Sequence, residues 1–140
     1  MSQQDNIKAQ QQFGEAINSG NLNALKTFVA ADCVDHDPGS GQVPGPEGYI
    51  ALFTQMRTAF PDLAVAVDKM VADDDSVAFA YTLTGTHSNN FMGYPATGRR
   101  ISARGMQISR FENGKMVERW GSSDQLGILQ QIGAVKKMEA

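Results

Sequence analysis

The chain has 140 residues, 41% of them apolar and 19% charged, and a formal net charge of −3. That is one domain's worth of core over residues 1–140, with no basic surplus for nucleic acid or an anionic membrane surface. No apolar run is long enough to cross a bilayer, the N-terminal stretch M-S-Q-Q-D-N-I-K-A-Q lacks a signal core, and the single cysteine, Cys33, excludes an internal disulfide. A cytoplasmic protein without nucleic-acid or membrane partners is expected.

Residues 3 to 19 read as an amphipathic helix carrying Ile7, Phe13, Ala16 and Ile17, although Gln10 to Gln12 weaken its apolar stripe. Gly20-Asn21 breaks it. Asn21 then caps a short second helix that points Leu22, Leu25, Phe28 and Val29 inward. Cys33 to Asp37 reads as a short strand, and the Gly/Pro-rich stretch from Pro38 to Pro46 as a loop. A third helix starts at Pro46, where a missing N–H does no harm, and Pro61 ends it. Tyr49, Leu52, Phe53, Met56 and Phe60 recur along it at helical spacing.

The period then becomes strand-like. Leu63, Val65 and Val67 alternate with smaller or polar residues, Asp73-Asp74-Asp75 makes a turn, and Val77, Phe79, Tyr81 and Leu83 alternate again toward His87. Residues 88–98 form a loop whose Phe91, Met92 and Tyr94 suggest a flap folded over something apolar. Asn113-Gly114 is a hairpin signal between a strand from Ile101 to Phe111 and another from Lys115 to Gly121. Along the first of these, Ile101 and Ala103 have one parity and Met106 and Ile108 the other, so a bulge is expected at Gly105. Asp124 precedes a last short helix from Gln125 to Ile132, with Gly133 as its stop.

Helices followed by a run of antiparallel strands give an α+β domain: a cone-shaped curved sheet covered by three N-terminal helices and enclosing a pocket. Which late-strand residues face that pocket depends on the turn. A two-residue loop pairs Gln107 with Trp120; a three-residue loop with a glycine bulge pairs Gln107 with Arg119 and puts Val117, Arg119 and Gly121 on the side of Gln107. An arginine in such a pocket would bind an enolate or carboxylate, whereas the same arginine on the other face is only solvated or part of a dimer surface.

The two histidines, His36 and His87, fit no metal-ligand spacing, and no nucleophile motif or phosphate-binding loop occurs, so neither a metal nor a cofactor is expected. His36 lies between Asp35 and Asp37, and His87 ends a strand beside the Phe91-Met92 flap. Asp124 suits a helix N-cap and, if Trp120 desolvates it, a general acid/base.

Asp35-His36-Asp37-Pro38, G-P-E-G-Y-I-A-L-F-T-Q-M-R-T-A-F-P-D-L, L-T-G-T-H, F-M-G-Y-P-A-T-G-R-R, R-F-E-N-G-K-M-V-E-R-W and D-Q-L-G-I-L-Q-Q-I-G together resemble the SnoaL-like polyketide cyclases. These belong to the nuclear transport factor two-like superfamily, which also holds ketosteroid isomerase. The resemblance runs from the first helix to Gly133. It implies a deep apolar pocket, no metal, a homodimer through the sheet, and ring closure by an intramolecular aldol reaction. It also places Gly121 where those enzymes carry an acid/base aspartate and Gln107 where they carry a histidine.

The resulting expectation is a cyclase- or isomerase-type enzyme acting on a small hydrophobic carbonyl compound without a cofactor. Asp124 is the expected acid/base, with His36 and His87 as polarising or relay groups. Gln107 and Arg119 are expected on an oxyanion, and Tyr49, Phe53, Phe91, Met92 and Trp120 on the cavity wall. The alternatives are a non-catalytic ligand-binding domain on the same fold, or a dimerisation module.

Overall fold

A computed structural model of the protein describes residues 2–136. Helix α1 spans Gln3–Ser19 and begins in a reciprocal capping box, with Ser2 accepting from the Asp5 N–H and Asp5 accepting from that of Ser2. It stops at Gly20, whose φ of 80° is left-handed. No basic residue sits in its last turn. Arg57, from the third helix, donates instead to the carbonyls of Ile17 and Asn18.

A single 3₁₀ turn, Leu22–Ala24, leads into α2, Leu25–Phe28, and Asn21 makes no side-chain capping bond there. Strand β1, Val29–Asp35, begins earlier than the expected Cys33 because Val29 and Cys33 are both drawn into the core. Helix α3 runs Pro46–Ala59 with proline in its first turn. Strands β2 (Ala64–Ala72), β3 (Ser76–Thr86), β4 (Arg100–Glu112) and β5 (Lys115–Ser123) follow, and α4 (Gln125–Gln131) comes last.

The five strands form one curved sheet in the order β1-β5-β4-β3-β2. Neighbours from β2 to β5 are antiparallel, and β1 adds to β5 in parallel, so the sheet is mixed at one edge. Helix α1 lies across β2 and β3 and is tied at both ends. Asn6 Nδ2 donates to the Asp74 carbonyl at 3.0 Å, and the Asn18 side chain exchanges two hydrogen bonds with the backbone of Val65.

The Asn113-Gly114 turn is the two-residue kind, with positive φ at both positions and Glu112 opposite Lys115. One extra residue, Val117, then shifts the register, so that Gln107 faces Gly121 and Ser109 faces Arg119. Gln107, Ser109, Arg119 and Gly121 therefore share one face, and Ile108 and Trp120 share the other.

No bulge occurs at Gly105. The β3–β4 register is unbroken from Ser76 opposite Arg110 to Thr86 opposite Arg100. The glycine has a different purpose: it lies opposite Tyr81, and a Cβ there would come within 2.3 Å of the phenol oxygen. The change of apolar parity along β4 marks polar Gln107 and Ser109 turned inward, while Met106 and Ile108 face solvent at 67% and 46% exposure.

Phe60, Leu25, Ile101, Met116 and Val77 are fully buried in the core between helices and sheet, each contributing about 1.5–3 kcal/mol by leaving water. Residues 88–98 are folded down on it. Phe91 stacks edge-on to Phe60, and the Ser88 and Asn89 amides both donate to the Ala59 carbonyl at the end of α3.

Burial pushes the Cys33 thiol up to about 11, which suppresses the nucleophilic thiolate. Iodoacetamide at pH 8 should therefore leave the native protein unmodified over hours yet label it fully in guanidinium. Rapid labelling of the native protein would show that the β1 edge opens.

Candidate functional site

Strand alternation places Asp35 on the inward face, because it is the register partner of Arg119 in β5 and has the parity of buried Cys33. A single guanidinium nitrogen of Arg119, Nη1, donates to both oxygens of the Asp35 carboxylate, at 3.2 Å from Oδ1 and 3.0 Å from Oδ2. The two side chains are only 17% and 6% exposed. Arg119 Nε donates to Gln107 Oε1 at 2.8 Å, and Gln107 Nε2 donates to Ser109 Oγ at 2.9 Å.

The remaining lone pairs of Asp35 are also occupied. Tyr49 donates its hydroxyl to Oδ2 at 2.9 Å, Gln42 donates Nε2 to the same oxygen at 3.3 Å, and the Asp37 N–H donates to Oδ1. Burial, and then the Asp35 charge, raise the Tyr49 phenol far above its usual range, so it stays a neutral donor. Arg119 Nη2 alone has no hydrogen-bond partner among the described residues. A Cβ at Gly121 would come within 2.4 Å of it, so the glycine leaves room for the guanidinium.

Arg119 and Gln107 form the polar wall of a cavity of about 460 Å³ between α1, Phe53 of α3 and the sheet. Its apolar lining includes Phe13, Ile17, Val65, Phe79 and Leu83. Tyr81 also lines it, with a phenol raised above its usual range by burial. Exposed Gln11, Glu15 and Asn18 stand at the rim.

A second hollow, of about 560 Å³, lies between the outer side of α3, residues 39–42, the turn at 90–93 and Gln125. Phe91 and Met92 line this hollow and not the first. Among the described residues its lining carries no ionisable side chain, only neutral polar ones such as Gln42, Asn90 and Gln125, so it offers no general acid or base.

The residues singled out from sequence thus separate. Phe53, Gln107 and Arg119 come together on the first cavity, with Tyr49 behind them on Asp35. Trp120 lies on the opposite face of the sheet, where His36 stacks on it at 4.6 Å and binds Glu118 through Nε2 at 2.7 Å. The hydrogen bond from His36, reinforced by Arg110, lowers the Glu118 carboxyl below its usual range.

His87 is fully buried, with Nδ1 accepting from the Thr97 N–H and 2.9 Å from Thr97 Oγ1. Asp124 is exposed and caps α4, its Oδ1 accepting from the Gly127 N–H at 2.8 Å. The structure therefore does not bring Asp124, His36 and His87 together, and it adds Asp35, Tyr81 and Gln10 to the site region. Parity with Cys33 was the available signal for Asp35, and the break that Gln10 makes in the apolar stripe of α1 was the signal for Gln10; nothing in the sequence marked Tyr81 off from core residues.

Removing one member of a buried ion pair strands the other. Asp35→Asn should lower the unfolding free energy by about 3 kcal/mol in urea titrations, and the Asp35→Leu/Arg119→Met double variant should lose less than the sum of its two singles. Additive losses would mean that the two side chains do not depend on one another.

Comparison with known proteins agrees with this architecture. The profile of the SnoaL-like polyketide cyclases matches residues 7–132. Aklanonic acid methyl ester cyclase DnrD of Streptomyces peucetius is 29% identical over 126 residues, covering 85% of this chain and 84% of that protein. Nogalonic acid methyl ester cyclase of Streptomyces nogalater is 25% identical over 122 residues, covering 84% and 90%. Among solved structures, TsrD from Streptomyces laurentii superposes with a TM-score of 0.87 at 25% identity, covering 96% of this chain and 99% of that one. IdmH from Streptomyces antibioticus does so with a TM-score of 0.80 at 35% identity, covering 91% and 98%. The chain belongs to the SnoaL-like polyketide cyclase family.

Proposed function

We propose that the protein is a cyclase- or isomerase-type enzyme that enolises a small, mostly apolar carbonyl compound in the Arg119 cavity without a cofactor. The observation that carries this reading is the unpartnered Nη2 of Arg119, held on a rigid frame by Asp35 and Gln107 at the edge of an apolar hollow. A fixed cationic donor stabilises an enolate oxygen more than the neutral carbonyl it comes from, and only that difference accelerates the reaction. The α proton leaves to water or to Glu15, the carboxylate among the lining residues. Asp35, with its lone pairs already occupied, positions Arg119 and takes no proton. The relatives named as methyl ester cyclases support this class of chemistry.

One observation favours the second reading, a ligand-binding domain without chemistry: among the described residues no buried carboxylate stands free on the cavity wall. Incorporation of deuterium at the α-carbon of 2-methyl-1-tetralone in D2O separates the two. Enzyme should raise the exchange rate above buffer, Arg119→Lys should remove about 10²-fold of that gain by losing the fork while keeping the charge, and Asp124→Asn should leave it unchanged. Saturable binding of the ketone with exchange at the buffer rate would leave a binder.

The outer face of the sheet supports a homodimer. Val71, Ala78, Ile108 and Trp120 lie in register across four strands, with Met106 beside them, and Val71, Met106 and Ile108 are more than 45% exposed. A contiguous apolar strip of this kind marks an interaction surface. Light scattering behind size exclusion should give twice the 15.1 kDa monomer mass, and Ile108→Glu should give the monomer. A wild-type monomer at tens of micromolar would exclude this interface.

A further inference from the structure

Gln10 is a polar residue of the cavity whose side chain no described residue accounts for. It sits in the middle of α1, is 4% exposed, and its side chain makes no hydrogen bond to any described residue; its Oε1 is buried without a partner. Asn6, one helical turn earlier and also fully buried, differs in spending its amide nitrogen on the Asp74 carbonyl to anchor the helix. Gln10 anchors nothing. A buried carboxamide left unpaired destabilises the fold, and turning it over merely exchanges which atom is stranded.

Resting on the reading of the Arg119 cavity as a ligand site, we infer that Gln10 is a specificity-determining residue that hydrogen-bonds a hydroxyl group on the bound carbonyl compound. The lining around it is apolar, with Phe13, Ile17, Phe53 and Phe79 on the same cavity. The ligand is therefore an apolar, aromatic-sized ketone bearing at least one hydroxyl apart from the carbonyl that meets Arg119. A hydroxyl both donates and accepts, so it can pair with whichever amide atom the side chain turns toward the cavity. A site built around such a bond discriminates strongly against the analogue lacking it, because the amide then stays unpaired in the complex as well.

The test uses two neutral fluorescent ketones, 6-hydroxy-2-acetylnaphthalene and its parent 2-acetylnaphthalene, titrated into the wild type and Gln10→Met, which keeps length and removes the amide. The wild type should bind the hydroxyketone about tenfold more tightly than the parent. Gln10→Met should abolish that preference by weakening the hydroxyketone alone. Without ligand, the same substitution should raise Tm by about 2–4 °C, the sign expected of a polar group kept for binding and opposite to that of a structural amide.

A fall in Tm, equal binding of both ketones by the wild type, or a preference that survives Gln10→Met would each overturn the role of Gln10. Val67→Trp, which narrows the cavity from its half-exposed rim, separates that failure from failure of the cavity itself. Binding that Val67→Trp blocks but Gln10→Met leaves untouched removes Gln10 and keeps the cavity. No binding of either ketone at millimolar concentration removes both.

Discussion

The Asp35–Arg119 pair is the constraint around which the inward face of this sheet is arranged. Two charges withdrawn from water must meet with good geometry and with their remaining hydrogen-bond capacity filled, or the desolvation cost exceeds the attraction. That requirement reaches far along the chain. β1 must lie parallel beside β5 to bring position 35 next to position 119, although its pairing is irregular between Val29 and Val34. The 38–46 loop must return so that Gln42 and Tyr49 reach Asp35, and position 121 must lack a side chain to admit the guanidinium. A short edge strand, a glycine and a tyrosine on a distant helix are thus explained by one electrostatic demand.

Much of the fold could be read from the chain because its local signals agree with its tertiary structure. The expected limits of α1, the proline start of α3, the Asp73–Asp75 turn and the Asn-Gly hairpin all match, and each rests on backbone chemistry that packing had no reason to override. The site was less legible, and β4 shows why. Apolar Met106 and Ile108 suggested a change of inward parity, yet in the structure the polar Gln107 and Ser109 go inward. Hydrophobic alternation locates a core face only where the core is apolar; beside a buried arginine the inward positions are polar and the rule reverses. The face of Arg119 turned on a bulge of one residue at Val117, which no nearby sequence signal announces. Asp124, His36 and Trp120 attracted attention as residue types, but strand parity and capping geometry placed them elsewhere.

Inversion along β4 also separates the sheet's two faces by chemical character. Inward, Tyr49, Asp35, Arg119, Gln107 and Ser109 form a continuous hydrogen-bonded chain whose members fix one another's rotamers, and low local polarity strengthens each link. Outward, the same strands present Ile108, Met106 and Trp120, with His36, Glu118 and Arg110 as an ionic margin. One run of residues therefore supplies both the polar wall of the cavity and the exposed apolar strip of the outer face, and a substitution on either parity changes one face while leaving the other's side chains in place.

The neutrality of the Asp35–Arg119 pair has a chemical consequence. An unpaired arginine would hold any carboxylate tightly and favour anions that arrive already charged. With Nη1 held by Asp35 and Nε by Gln107, only Nη2 of this cavity-lining guanidinium is without a hydrogen-bond partner among the described residues, and a fully anionic ligand would also feel the aspartate. A neutral carbonyl would enter without that penalty, and in the proposed enolisation the growing charge on oxygen would meet a donor whose position is already fixed. Such an arrangement favours molecules that become anionic in the site over molecules that enter as anions, which is the preference an enolising enzyme needs. A binder of acids would have left the arginine unpaired.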